Sequence, residues 1–268
     1  MGKMLSANEM LVRGEITAED VIRLRHELFA DGVREASEAD LLFRMDSECA
    51  AKHESWADFF VDALAEYYIF NTEPAGALND YESQHLIRHI LADGKMAGET
   101  ELALAIRVIE RAQTCPVDVG YLVLKAVWDS VMDQSKAAYG KGRHPKAITA
   151  EDVDIIRRAI HATGSDEGIA VSRAEAELLF ALERETDDAE NDIAWRDLFV
   201  QAVGGHLLAP ATGTGGSIEG DEAQWLLGQI REDGKIRRNE RSLLAFLYGK
   251  LDNAHPSLAP MFAVAGLR

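Results

Sequence analysis

The hexapeptide Ile-Thr-Ala-Glu-Asp-Val at residues 16–21 occurs again, unchanged, at residues 148–153. Further repeated segments follow each occurrence in the same order along the chain. Trp-x-Asp-x-Phe-Val at residues 56–61 is found again at residues 195–200. Because the matching positions are mostly large apolar residues and turn residues, they indicate that the chain contains two copies of one fold.

The spacing between the two copies is nearly constant. It is 132 residues for the hexapeptide (148 − 16) and 140 for the triplet Asp-Gly-Lys (233 − 93). A few extra loop residues in the second copy account for this growth. We therefore predict a first domain at 1–139, a linker at 140–147 and a second domain at 148–268, each long enough to bury its own core.

The apolar residues follow helical spacing in both predicted domains. Steps of three and four residues place each group on one face of a helix, and runs that alternate as in β-strands are absent. The sequence predicts an all-α protein in which each domain holds two units of helix, Asp-Gly turn and helix. Two of these apolar stripes are Leu41, Leu42, Met45, Cys49 and Leu243, Leu244, Leu247, Leu251.

Composition narrows the classes of partner and compartment. The chain has 46 acidic and 28 basic residues, which gives a formal net charge of −18. Such a charge repels phosphate backbones and anionic lipids, so we expect neither nucleic acid nor a membrane as a partner. Cys49 and Cys115 lie in unrelated contexts and form no disulfide framework. With no signal-peptide pattern at the N-terminus, a cytoplasmic location is expected.

The Asp-Gly turns are the main candidates for chemistry. The turn at Asp233-Gly234 continues as Asp-Gly-x-Ile-x-x-x-Glu and ends at Glu240, like the second half of a calcium-binding EF-hand loop. Gln229 and Arg231 occupy the positions where the first half would supply oxygen ligands. Two interpretations remain open: glycine ends one helix in a left-handed conformation with no further role, or the turns take part in binding a metal.

Each predicted domain has two such turns followed by an acid: Ala30-Asp31-Gly32 with Glu38, Ala92-Asp93-Gly94 with Glu99, Asp166-Glu167-Gly168 with Glu175 and Asp233-Gly234 with Glu240. Paired helices joined by these turns resemble the TerB-like tellurite-resistance domain. In that family an alanine, aspartate and glycine are followed by an acidic residue that opens an apolar helix. The family is associated with metal ions, stress responses and the assembly of protein complexes, and its acidic clusters are thought to bind metal. The resemblance implies a set of metal-binding acids, namely Asp31, Glu38, Asp93, Glu99, Glu175, Asp233 and Glu240.

One further pair has the spacing of metal ligands. His85 and His89 lie four residues apart, so a helix would place both on one face, as in many zinc sites. No nearby Cys or His completes a ligand set, and Trp225 and Gln229 occupy the matching positions of the second copy. The sequence favours surface or half-buried helix residues for this pair.

No nucleophile, acid–base pair or cofactor-binding loop can be recognised, so we assign no catalytic residue. The sequence predicts a non-enzymatic, stress-related interaction or scaffold protein with a protein partner and, at most, a weak divalent-cation site. The alternative is a metal-ion sensor or buffer that uses the acids at the Asp-Gly turns. An enzyme on a helical scaffold has no specific support.

Overall fold

The computed structural model describes most of the chain and confirms the predicted all-α class. Two compact units follow one another, Met1–Val119 and Gly120–Arg268. The division falls inside the helix Val117–Met132, ahead of the predicted linker. The described residues are 2–71, 73, 75–96, 98–143, 146–161, 171–209, 217–231, 235–251 and 253–267.

The first unit is built from helices joined by short connections. A π-helical turn, Leu24–Leu28, extends its second helix. The helices and strands are α1 (Gly2–Arg13), β1 (Glu15–Ile16), α2 (Ala18–Arg23), α3 (Ala36–Glu48), β2 (Ala51–Lys52), α4 (Ser55–Phe70), α5 (Asp80–Ile90), α6 (Glu99–Arg111) and the start of α7 (Val117–Met132).

Capping boxes begin two helices of the first unit. The Thr17 hydroxyl accepts a hydrogen bond from the backbone N–H of Asp20, whose carboxylate accepts one from the N–H of Thr17. Asn79 and Glu82 make the same reciprocal pair at the start of α5. Each box satisfies backbone N–H groups that have no partner inside the helix, so the acidic residue three positions after the cap serves the helix N-terminus.

The core of the first unit lies around α4, which packs against α6, α2 and α3. Trp56 and Phe60 on α4 are buried, and the Phe60 ring meets Phe43 edge-on at 5.4 Å between centroids. β1 pairs with β2 in parallel, and a single bridge joins Ala77 to Thr114. These two contacts tie the connections between helices to one another at the ends of the bundle.

The second unit has a similar order of elements. After α7 it contains α8 (Ala150–His161), α9 (Arg173–Glu185), α10 (Ile193–Leu208), β3 (Ser217–Ile218), α11 (Gly220–Arg231), α12 (Arg238–Lys250), β4 (Asn253–Ala254), a 3-10 turn (Pro256–Leu258) and α13 (Ala259–Val264).

Residues just before α8 are anchored by a buried carboxylate. Asp152 is fully buried and accepts hydrogen bonds from the Tyr139 hydroxyl and, at 2.6 Å, from the Arg143 guanidinium. The same aspartate accepts from the N–H of Thr149 at 2.7 Å in a further capping arrangement. A buried carboxylate without such partners would be strongly destabilising, so this network fixes the entry into α8.

The core of the second unit lies between α10 and its neighbours α8, α9 and α12. Trp195 and Phe199 are fully buried, and Phe199 meets Phe180 edge-on at 5.2 Å between centroids. Gly204 lets α10 approach α12 closely, because a Cβ atom there would lie 2.5 Å from Cε1 of Phe246.

Both copies of the sequence have large apolar residues at the same four positions, which predicts that these residues form the two cores, and all of them are buried. The Phe–Phe geometry is nearly the same in both units, at 88° and 89° between ring planes. This similarity supports the internal duplication, which stays a prediction. The residues concerned are Leu42, Phe43, Trp56, Phe60, Leu179, Phe180, Trp195 and Phe199.

Candidate metal site

A cluster of three potential metal ligands lies between α3 and α5 of the first unit. Nε2 of His85 lies 3.0 Å from Oδ1 of Asp40, and Nε2 of His89 lies 2.8 Å from the same oxygen. The two imidazoles are one helical turn apart on α5 and face α3, so their rings lie 4.6 Å apart between centroids. In the described part of the chain, this is the one set of three such ligand atoms within 4.8 Å of one another.

Aromatic residues hold both imidazoles in place. The Tyr68 hydroxyl on α4 lies 2.7 Å from Nδ1 of His85 and is fully buried with its ring. If it donates to Nδ1, then Nε2 of His85 carries the proton and donates to Asp40. The Phe43 ring stacks on His89 at 4.4 Å and 8°. Because Tyr68 is buried, this Tyr–His–Asp chain does not present its hydroxyl to solvent as a nucleophile.

Burial increases from the carboxylate to the inner histidine. The exposed fraction of the side chain is 48% for Asp40, 24% for His89 and 8% for His85. Burial, followed by the charge of His89, lowers the pKa of His85, while Asp40 opposes this shift. A neutral imidazole at His85 is therefore favoured near neutral pH.

The cluster opens onto a surface groove of about 540 Å³. His89 lines this groove, and so does Asp93, the aspartate of the second Asp-Gly turn. Gly94 follows with φ +84, so this turn does use glycine in the left-handed conformation. Of the three ligands, only His89 therefore shares this groove with Asp93.

The predicted metal-binding acids of the first unit lie at helix starts and turns. Glu38 accepts a hydrogen bond from the backbone N–H of Arg34 at 2.8 Å, just before α3. Asp31 is exposed in a turn where Gly32 has φ +80. Asp93 is exposed and accepts weakly from the N–H of Lys95 at 3.4 Å, and Glu99 is exposed at the first position of α6. None of these four acids belongs to the Asp40 cluster.

Two predicted acids of the second unit are buried helix caps. Glu175 accepts from the N–H of Ser172 at 2.7 Å in a capping box. Glu240 accepts from the N–H of Arg237 at 2.7 Å and pairs with its guanidinium at 3.4 Å. Asp233, the seventh predicted ligand, lies outside the described residues.

A different arrangement occupies the matching place of the second unit. Glu177 on α9 accepts a hydrogen bond from Nε1 of Trp225 at 2.9 Å and from Nε of Arg173 at 3.3 Å. Gln229, four residues after Trp225, lies 3.4 Å from the Arg184 guanidinium. An indole N–H only donates, so this position cannot provide the second nitrogen ligand that His85 provides.

The sequence showed ligand spacing for His85 and His89 but favoured surface or half-buried positions for both, and it gave no role to Asp40. The structure has His89 half-buried, as predicted, whereas His85 is buried. His85 and His89 have ligand spacing, but Asp40 precedes them by 45 and 49 residues. The sequence does carry a signal for Asp40, because this aspartate interrupts the run of apolar residues Ala39, Leu41 and Leu42 at the start of α3, all of which are buried.

No protein-family model, curated protein or solved structure matches this chain. The arrangement of Asp40, His85 and His89 is therefore interpreted from its own chemistry. Among the described residues, no helix combines the length and apolar character needed to cross a membrane.

Proposed function

We propose that this chain is a non-enzymatic protein that reversibly binds one divalent transition-metal ion, of which Zn²⁺ is the model. Asp40, His85 and His89 provide the ligands. The observation that carries the proposal is the convergence of two imidazole Nε2 atoms on one carboxylate oxygen, at 3.0 and 2.8 Å.

The ligand types match borderline ions better than calcium or magnesium. Zinc binds imidazole nitrogen at roughly 2.0–2.1 Å and carboxylate oxygen at similar distances, so its tetrahedral ligands lie roughly 3.3 Å apart. The two distances from Nε2 to the Asp40 oxygen need to increase by only a few tenths of an ångström to admit the ion, and all three atoms already lie within 4.8 Å of one another. Calcium prefers six to eight oxygens, which this cluster does not supply.

Two contacts prepare the site for an ion. When Nε2 of His85 binds metal, Nδ1 takes the proton and can donate to the Tyr68 oxygen 2.7 Å away. The stacked Phe43 ring limits rotation of His89. With three protein ligands, the fourth position of a tetrahedral ion stays open to water.

This proposal takes up the sensor or buffer alternative, with the ion at a different place from the Asp-Gly turns. It agrees with the metal association implied by the TerB-like resemblance, which we retain as part of the proposal. The scaffold function, its protein partner and the cytoplasmic location stay predictions.

Isothermal titration with Zn²⁺ near pH 7.5 tests the proposal. We expect one equivalent to bind, and the melting temperature to rise because the ion prefers the folded state. His89→Ala should weaken binding at least tenfold, since one of three ligands is lost. His26→Ala is the matched control, because His26 is exposed on the π-helical turn of the same unit.

Co²⁺ provides a second measurement, since its visible absorption reports coordination by nitrogen and oxygen ligands. No saturable binding of either ion, or equal binding by the His89→Ala variant, would overturn the proposal. A response to Ca²⁺ that is lost in Asp93→Asn would instead favour a site at the Asp-Gly turns.

A further inference from the structure

Each unit contains a tryptophan whose indole donates to a carboxylate on the preceding helix. Nε1 of Trp56 lies 2.7 Å from Oδ1 of Asp46 in the first unit. Nε1 of Trp195 lies 2.7 Å from Oε2 of Glu183 in the second. The two pairs have the same donor, distance and place between consecutive helices, α3–α4 and α9–α10. They differ in the cation that accompanies the carboxylate.

In the first unit, the carboxylate has an ammonium partner from its own chain. Nζ of Lys52 lies 2.8 Å from Oδ1 of Asp46 and also donates to the Asp46 carbonyl at 2.6 Å. Lys52 belongs to the connection between α3 and α4. The ion pair is partly buried, with 30% and 13% of the side chains exposed, so solvent screens it less than a surface pair.

In the second unit, the corresponding connection supplies acids. Asp187, Glu190 and Asp192 lie between α9 and α10, and residues 186–192 include no lysine or arginine. Glu183 is nevertheless only 2% exposed. Its two hydrogen bonds, from Trp195 and from the Asn239 amide at 3.0 Å, both reach Oε2. Among the described residues, no cation lies within ion-pair distance of Glu183.

Glu183 lines a cavity of about 310 Å³. Two arginines lie on its wall, Arg196 and Arg238, and the first is paired with Asp197 at 2.7 Å. Arg237 on the neighbouring turn pairs with Glu240 at 3.4 Å and approaches Asp187 at 3.6 Å. The lining residues are Glu183, Asp187, Ala189, Glu190, Asn191, Asp192, Ile193, Trp195, Arg196, Arg238 and Asn239.

The charge balance around Glu183 favours gain of a cation. Burial raises the pKa of Glu183 to about 7, and the hydrogen bonds from Asn239 and Trp195 only partly offset this. The negative charges of Glu240 and Asp187 raise the pKa further. Near pH 7 Glu183 is therefore divided between its protonated and ionised forms, and a cationic ligand would favour the ionised form.

We propose that the cavity at Glu183 binds a primary ammonium group, in the relation that Lys52 has to Asp46. The cavity also offers what an ammonium group needs beyond one carboxylate. The rim acids attract a cation, and the amide of Asn239 lies on the wall beside Glu183. Asn191 also lines the cavity, where its Oδ1 accepts from the Ile148 N–H and its amide nitrogen donates to Thr186. A lysine side chain of a partner protein and a free alkylamine share this chemistry. The site is in the second unit, so it does not depend on the metal proposal.

The test is a titration of the full chain with n-butylammonium, followed by ¹H–¹⁵N NMR of the tryptophan indoles. The Trp195 indole resonance should shift and saturate, because its acceptor carboxylate becomes paired. The Trp56 resonance serves as an internal control and should stay unchanged, since Lys52 already occupies Asp46. Neutral n-butanol should leave both resonances unchanged.

Two variants test whether the carboxylate of Glu183 is responsible for the shift of the Trp195 resonance. Glu183→Gln keeps an acceptor for Trp195 but removes the charge, and should weaken amine binding at least tenfold. Glu190→Lys places an ammonium group on the cavity wall and should abolish amine binding while the chain stays folded. Glu190 is exposed, so this variant also covers the case in which Glu183→Gln does not fold.

A second arm separates the sources of the ammonium group. A short glycine peptide with a single central lysine is compared with n-butylammonium and with its acetyl-lysine counterpart. Tighter binding of the lysine peptide identifies a partner's side chain, and tighter binding of the amine identifies a small ligand. An unchanged Trp195 resonance with both probes, or equal binding by Glu190→Lys, would overturn the proposal.

Discussion

Asp40 in the first unit and Glu177 in the second lie at matching places on α3 and α9 but hold different partners. Asp40 is approached by two imidazole nitrogens. Glu177 is occupied by the indole N–H of Trp225 and by Arg173. A carboxylate that faces two imidazoles can exchange their protons for an ion. One that faces an indole and a guanidinium is already satisfied by donors that do not ligate metals.

The apolar neighbours of these carboxylates differ far less. Phe43 and Phe60 meet edge-on in the first unit, as Phe180 and Phe199 do in the second, with centroid distances within 0.2 Å (5.4 − 5.2). A densely packed core tolerates few changes in side-chain shape, whereas a polar group at its edge needs only a hydrogen-bond partner of some kind. The comparison teaches that nearly the same aromatic packing can surround polar groups of different chemistry.

The largest effect is expected from truncating the shared core. Phe60→Ala and Phe199→Ala should each cost about 3–5 kcal/mol of unfolding free energy, because both rings are fully buried. Urea unfolding followed by circular dichroism measures the loss. Phe70→Ala is the control, since Phe70 is about half exposed and should change stability little. A cost below about 1 kcal/mol in only one variant would break the core comparison.

Titration of Glu183 is expected to change the free energy of unfolding by about 3 kcal/mol. Its pKa is about 7 in the folded state against 4.5 as the ordinary value, so the folded state binds more protons between these pH values. The contribution of Glu183 to the free energy of unfolding is therefore fully present below pH 4.5. It falls as the pH rises and levels off above about 7. The difference of about 2.5 between the pKa values corresponds to about 3 kcal/mol.

Unfolding free energies at pH 5 and pH 8 measure this dependence. The relevant quantity is the difference between the wild-type chain and Glu183→Gln, since other groups titrate in both. If the two proteins lose the same stability between pH 5 and 8, Glu183 is not the group responsible.

The smallest stability effect is expected from transferring the histidine pair to the second unit. Trp225→His with Gln229→His should give Glu177 two imidazole neighbours and add a second equivalent of bound Zn²⁺. Loss of the mostly buried indole should cost roughly 2–3 kcal/mol. Gln229→His alone is the control and should add no site, because Trp225 still occupies Glu177. One bound equivalent in the double variant would show that α3 and α9 differ beyond these residues.

Local sequence signals determined the helices of this protein. In the sequence, Ser55-Trp56 before an aromatic-rich run predicts the start of α4, and Glu99 predicts that of α6, where the structure has them. The acids that the TerB-like resemblance associated with metal include Glu175 and Glu240, which accept backbone hydrogen bonds at helix starts. Their role in metal binding stays a prediction. The same residue type three positions into a helix serves capping, and the sequence pattern alone does not distinguish this from metal binding. Helix α1 was not predicted.

By itself, the sequence determined the all-α class, the apolar faces that form the cores and the spacing of His85 and His89. These depend on contacts within a few residues, which periodicity and capping residues specify. Only the tertiary structure decided that Asp40 joins the two histidines and that Glu183 lacks the cation that Asp46 has. Both depend on packing between helices. This packing brings together residues far apart in the chain and decides which side chains remain accessible to solvent.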